Sequence, residues 1–177
     1  MREGERLFFA FWPDAAVRAR LAELGAGLRL EAPARAVPPG NLHFTLAFVG
    51  EVAPDVAARV RAIGAAQRGA PCRLRFDAFE YWPKPEVVVA AARVVAPALD
   101  RLWHRLHETL AHEGLALNPK RLRPHVTLAG GVAAQPAFAG APLLDWTVRE
   151  FSLIRSETAG AHSVYTVVGT WPLLDEP

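Results

Sequence analysis

The stretch HFTLAFVG at residues 43–50 returns as HVTLAGGV at residues 125–132, so that His-x-Thr-Leu-Ala is written twice in a chain of 177 residues, once in each half. In a strand, successive side chains project to opposite faces. His43 and Thr45 therefore share one face and Phe44 and Leu46 the other, and His125 and Thr127 stand in the same relation to Val126 and Leu128. Each copy reads as half core and half polar face. One such tetrad is ordinary strand sequence. Two in matching contexts predict related halves whose polar faces meet across a cleft, with two imidazoles and two hydroxyls around one ligand.

The surroundings of the two copies read alike. Leu7 to Trp12 predicts a buried strand, and Asp14 offers an N-cap to a helix in AAVRARLAELGAGLRL, where Val17, Leu21, Leu24 and Leu28 recur at helical spacing. Residues 31–41 read as a proline-rich loop before the first copy, which ends as a strand at Gly50. A second helix is expected over 54–67 through Val56, Val60 and Ile63. Two strand-like runs, CRLRFDAFEYW and VVVAAARV, follow, with PKPE between them as a hairpin loop. Pro97 suits the first turn of a third helix with an apolar stripe of Leu99, Leu102, Trp103, Leu106 and Leu110, stopped at Gly114. The second copy comes next, and two more strands are expected at about 146–155 and 163–171. Strand pairs with short loops beside isolated helices predict an α+β fold of mostly antiparallel sheet.

Composition bounds the rest. A chain of 177 residues that is 51% hydrophobic buries a sizeable core, so one domain over residues 1–177 is expected. The single cysteine, Cys72, excludes a disulfide framework and a cysteine metal knuckle and fits a reducing, cytoplasmic compartment. The longest early apolar run ends at Pro13, too short for a signal-peptide core or a membrane span. Net charge is +2, but all the basic residues except Lys84 and Lys120 are arginine, whose planar fork suits phosphate oxygens.

Other candidate chemistry is weak. His104 and His107 sit off the apolar stripe of the third helix and read as solvated. HETLAH, ending at His112, misses the His-Glu-x-x-His spacing of a zinc-protease helix, because its second imidazole is rotated off the first one's face. His162 has no partner suggested by sequence. No nucleophile elbow, phosphate loop or dinucleotide fingerprint is present, and Cys72 reads as a structural thiol. Two histidines with threonines and no adjacent carboxylate offer too few ligands for a divalent ion.

A pair of imidazoles suits cleavage of a phosphodiester. With ordinary pKa values near 6.5, one ring can be neutral and take a proton from water while the other is charged and gives one to the leaving oxygen. The threonine hydroxyls can donate to non-bridging oxygens as charge builds there. Which histidine is acid and which is base stays open at this level.

At these residues the sequence resembles the two-histidine phosphoesterase superfamily and, within it, the RNA 2′,3′-cyclic phosphodiesterases, historically called 2′-5′ RNA ligases. RLFFAFWPD, NLHFTLAFVGEV, RLRPHVTLA and the closing FSLIRS through VYTVVGTWPL carry the resemblance in order. It implies a bilobed α+β fold of pseudo-two-fold duplicated antiparallel sheets, with helices packed outside and a central cleft. It implies metal-free, cofactor-free hydrolysis of a nucleoside or RNA-terminal 2′,3′-cyclic phosphate to a 2′-phosphomonoester by a monomeric protein. His43 is then the proton donor to the leaving 3′ oxygen, His125 the proton acceptor from water, and Thr45 and Thr127 the phosphate holders. One departure stands out: the family commonly carries an arginine where this chain has Gly130. Arg123 is the first substitute expected from sequence, with Lys120 and Arg121 next. The rival readings are a non-catalytic RNA-end or nucleotide-binding module, and a phosphodiesterase for another substrate such as 2′-5′ linked oligonucleotides or cyclic ADP-ribose derivatives.

Overall fold

A computed structural model describes residues 4–115, 121–159 and 162–174. Its elements follow the sequence pattern closely. β1 (Glu5–Phe11) leads into α1 (Ala15–Ala26), where the Asp14 carboxylate accepts from the Val17 amide at 2.8 Å and so satisfies one of the helix's orphan donors. The proline-rich segment holds a two-residue strand, β2 (Arg35–Ala36), and a 3-10 turn (Pro39–Asn41) ahead of β3 (Phe44–Val52). α2 (Pro54–Ala66), β4 (Cys72–Phe76), β5 (Ala78–Trp82), β6 (Val87–Ala91) and α3 (Pro97–His112) come next. β7 (His125–Gly130), β8 (Leu144–Val148), β9 (Glu150–Ala159) and β10 (His162–Pro172) close the order.

The fold is α+β with antiparallel sheets, as expected. One four-stranded sheet runs β10-β9-β1-β3, a second runs β2-β7-β6-β5, and β4 pairs with β8 alone. The repeat in the sequence is a repeat of topology. β1, α1 and β3 form one unit in which the two strands pair antiparallel; β6, α3 and β7 form its counterpart. The sheets exchange strands across the two halves: β9, from the second half, flanks β1, and β2, from the first half, flanks β7, while β5 joins β6 as a hairpin. One core therefore runs through both sheets, from Phe9, Phe11 and Phe44 to Ala90, Val126 and Leu128.

Two long strands expected from sequence are each divided. The run at 72–82 breaks at Asp77, and the run at 146–155 begins at Leu144 and breaks at Arg149. In both, the first part pairs with its counterpart as β4 with β8, and the second crosses to a large sheet. The break residues hold the crossings: the Asp77 amide donates to the Ala91 carbonyl at 3.0 Å, and the Arg149 carbonyl accepts from the Leu173 amide at 2.7 Å. Apolar alternation continues through Asp77, from Cys72, Leu74 and Phe76 to Ala78, so periodicity does not reveal that change of sheet, whereas the two polar residues Arg149 and Glu150 interrupt it between Val148 and Phe151.

The apolar stripe of helix α3 differs from expectation at Trp103. Leu99, Leu102, Leu106 and Leu110 are buried as predicted, but Trp103 is only half-buried, at the helix flank. Gly25 lets α1 lie against the second motif strand; a Cβ there would meet the Leu128 carbonyl oxygen at 3.4 Å. Among the described residues, no helix is long and apolar enough to cross a membrane.

Candidate active site

The first motif leads into β3, the edge strand beside β1, and the second lies on β7, between β2 and β6. Thr45 lies across from Ala10 on β1, and Thr127 across from Val89 on β6. The register then slips at the same place in both: Phe9 pairs with Ala47 and Val88 with Ala129, so Leu46 and Leu128 are each the extra residue of a bulge. This explains why the repeat extends past His-x-Thr into Leu-Ala. After the bulge two successive residues are buried, Leu46 with Ala47 and Leu128 with Ala129. Strict alternation would have turned each alanine to the polar face.

The imidazoles are presented identically. His43 Nδ1 lies 2.7 Å from the Asn41 carbonyl oxygen, and His125 Nδ1 lies 2.6 Å from the Arg123 carbonyl oxygen, in each case two residues back. A carbonyl only accepts, so each Nδ1 carries the proton. The neutral ring then has its lone pair on Nε2, and the protonated ring has an N–H there. Both histidines line one cleft of about 1170 Å³, together with Thr45 and Thr127. The Thr45 hydroxyl is 3.0 Å from His43 Nε2.

Aromatic rings close around both. Trp12 stacks on His43 with ring centres 5.7 Å apart, and Phe8 and Tyr165 lie at 5.0 and 5.4 Å. Trp82 lies 4.5 Å from His125. Burial pushes the His43 imidazole below its ordinary pKa; the Asn41 carbonyl draws it back up, and the nearby His125 pushes it further down. Burial also lowers His125, opposed by the Arg123 carbonyl, with the Arg123 charge lowering it and Glu80 raising it. Both rings are thus biased toward the neutral form in the free protein.

The remaining expected residues fall in different places. The Arg123 guanidinium donates to Glu80 Oε2 at 2.7 Å and lies over the Trp82 ring at 4.4 Å, and Trp82 Nε1 donates to the same carboxylate at 2.8 Å. Its charge is thus already matched, and the residue is not among those lining the cleft. Its carbonyl, not its side chain, serves His125. Lys120 lies outside the described residues. Arg121 lines a separate cavity of about 590 Å³ beside α3. His107, expected on a solvated face, is half-buried: its Nδ1 donates to the Trp103 carbonyl at 2.8 Å, and its ring packs 4.0 Å from that indole. Trp103 and His107 stand between this second cavity and the main cleft. Cys72 is buried, with its thiol pushed up to about 11, as befits a structural residue.

Sequence reading missed Asn41, Trp12, Trp82 and Tyr165. Trp12 and Trp82 each sit at a strand end, a position that could have flagged them, whereas the Asn41 contribution is a backbone carbonyl and leaves no side-chain signal. Among the described residues, no three metal-ligating side chains come together.

Fold and site together define a class: α+β proteins built of repeated antiparallel units, in which two His-x-Thr-Leu strands bring their imidazoles to one cleft. Within that class the chain belongs to the 2′-5′ RNA ligase superfamily, whose sequence model matches residues 12–160. It is 34% identical over 183 residues to the RNA 2′,3′-cyclic phosphodiesterase of Thermus thermophilus, covering 97% of this chain and 91% of that protein. The Escherichia coli protein of the same name is 29% identical over 175 residues, covering 98% of this chain and 99% of its own. The crystal structure of E. coli LigT complexed with 3′-AMP matches with a TM-score of 0.89 at 27% identity, over 98% of this chain and 100% of that one.

Proposed function

We propose that this protein hydrolyses the 2′,3′-cyclic phosphate of RNA ends or small cyclic nucleotides to a 2′-phosphomonoester, using His43 and His125 as an acid–base pair. The observation that carries this reading is the matched tethering of both Nδ1 atoms to backbone carbonyls, which leaves both Nε2 atoms for proton transfer. His125, neutral, takes a proton from water as the water oxygen bonds to phosphorus. The P–O3′ bond breaks on the opposite side, and His43, protonated, delivers its Nε2 proton to the departing 3′ oxygen. The 2′ ester bond stays intact. Thr45 and Thr127 donate to the non-bridging oxygens, whose charge grows in the transition state.

Burial favours the neutral state that His125 needs. The proton on His43 is favoured once the substrate's negative charge sits beside it. Phe48, 59% exposed and part of the cleft lining, offers an aromatic face to a base. The bound 3′-AMP of the E. coli relative is consistent with a nucleotide in this cleft. We read residues 1–177 as one functional domain, acting as a monomer in a reducing cytoplasm.

The test is incubation with a nucleoside 2′,3′-cyclic phosphate in excess chelator, with the product isomer assigned by phosphorus NMR. Turnover to the 2′-phosphate is expected. Accumulation of the 3′-phosphate, or turnover abolished by chelator, contradicts the reading.

A further inference from the structure

We infer that Arg35 is the cation that holds the substrate's cyclic phosphate in this cleft, in the place left open at Gly130; the inference rests on the phosphodiesterase reading above. Among the described residues, Arg35 is the only arginine or lysine lining the cleft. Among the described residues, none forms a hydrogen bond or ion pair with its side chain, whereas Arg61, Arg73 and Arg123 are each paired with a carboxylate. A cleft that takes an anion and has one unmatched guanidinium on its wall has an evident use for it.

Register puts the residue where that use is possible. Arg35 pairs with Gly130 on β7, and Gly130 pairs on its other side with Val87 of β6, so the three form one cross-strand row. All three line the cleft. Directly opposed side chains in an antiparallel pair share a face, and Gly130 contributes nothing there: a Cβ built on it would find no atom within 4 Å. The Arg35 side chain thus has free passage over the second motif strand. Thr127 is three residues from Gly130, about 10 Å along the strand, a gap that a long arginine side chain and one hydrogen bond can span.

The anchoring of β2 supports the assignment. This two-residue strand pairs with β7, and immediately after it the Val37 amide donates 2.8 Å to the carbonyl of Leu128, the bulged residue of the second motif. Gly131 approaches closely as well; its Cβ would lie 3.8 Å from the Ala34 Cα. The backbone that carries Arg35 is therefore fixed to the strand that carries His125 and Thr127.

Arg35→Ala, Arg35→Lys and the double variant Arg35→Ala/Gly130→Arg would be compared with the wild type. The readouts are hydrolysis of a nucleoside 2′,3′-cyclic phosphate and, independently of turnover, titration with 3′-AMP. Loss of a charge-assisted contact predicts a fall in kcat/KM of roughly 10- to 100-fold for Arg35→Ala, and at least tenfold weaker 3′-AMP binding. The melting temperature is expected to stay unchanged. Gly130 lacks a positive φ and has open space above it, so arginine at 130 is expected to recover most of the loss by supplying a guanidinium from the neighbouring strand. Lysine at 35 keeps the charge without the fork and recovers part.

Equal binding and turnover in wild type and Arg35→Ala overturns the inference and leaves the phosphodiesterase reading intact. So does a loss confined to oligonucleotide substrates, which would move the contact to an upstream phosphate. A wild type that binds 3′-AMP through Arg35 but turns over no cyclic phosphate overturns the phosphodiesterase reading instead. Absence of 3′-AMP binding to the wild type overturns the role of Arg35.

Discussion

Replacing Thr45 with valine separates two roles that the site geometry assigns to one hydroxyl. In the free protein Thr45 Oγ1 lies 3.0 Å from His43 Nε2. Because His43 Nδ1 is bound to the Asn41 carbonyl at 2.7 Å, Nε2 of the neutral ring is an acceptor and the hydroxyl donates to it. Valine keeps the β-branched shape that suits a strand. The position also faces the small Ala10 across β1, so the fold should survive. If orienting His43 were the hydroxyl's whole contribution, losing one neutral hydrogen bond would cost about 0.5–1.5 kcal/mol, roughly a two- to tenfold effect on rate. If the hydroxyl instead turns to a non-bridging oxygen as its charge builds, the loss resembles that of an oxyanion donor, about 2.7–4 kcal/mol, or 10²–10³ in kcat. The proposed mechanism requires the second figure. Steady-state hydrolysis of a nucleoside 2′,3′-cyclic phosphate, with folding checked by circular dichroism, decides between them. A fall in kcat of less than about tenfold would refute the role given to Thr45.

Other outcomes follow from the same geometry. Both imidazoles are held below their ordinary pKa in the free protein, chiefly by burial. The base must be neutral and the acid protonated, so the maximum of kcat/KM is expected on the acid side of about pH 6.5, and the kcat profile, set in the complex with an anion, is expected to lie at higher pH. An alkaline limb of kcat/KM lying well above about pH 7 would contradict this. Away from the site, a Cβ on Gly64 would fall 2.4 Å from two ring atoms of Trp171, so Gly64→Ala is expected to cost about 1–3 kcal/mol in urea unfolding. Gly40, with nothing within 4 Å of its would-be Cβ, is the control, and its alanine variant should change stability by less than about 1 kcal/mol.

The legible part of this protein was whatever depends on periodicity. The stripe of α3, the N-cap at Asp14 and the alternation of His-x-Thr against Phe44 and Val126 are local patterns with local causes, and the elements form where those patterns place them. Proline at the first turn of α3 reads the same way. The repeat also carried more than its face value, since Leu46 and Leu128 mark matching bulges.

What could not be read depends on pairing between distant segments. Asp77 continues the alternation on either side of it, yet it is where the chain changes sheets. Arg123 looked available because its partners, Glu80 and Trp82, lie some forty residues away in sequence and meet it only in the folded chain. Arg35, inside a proline-rich loop, gave no sign that it would be paired across from Gly130. The aromatic rings around His43 have the same cause: Trp12 and Tyr165 meet it from segments far apart in the sequence.

The most direct test of the central claim is a double-mutant cycle on the two histidines, measuring kcat in chelator for the wild type, His43→Ala, His125→Ala and the double variant. Acid and base acting in one step predict that each single change costs about 10²–10⁴, and that the double variant is little worse than either. Near-wild-type turnover in one single variant, or losses that simply multiply in the double, would contradict the account of two imidazoles working as a pair.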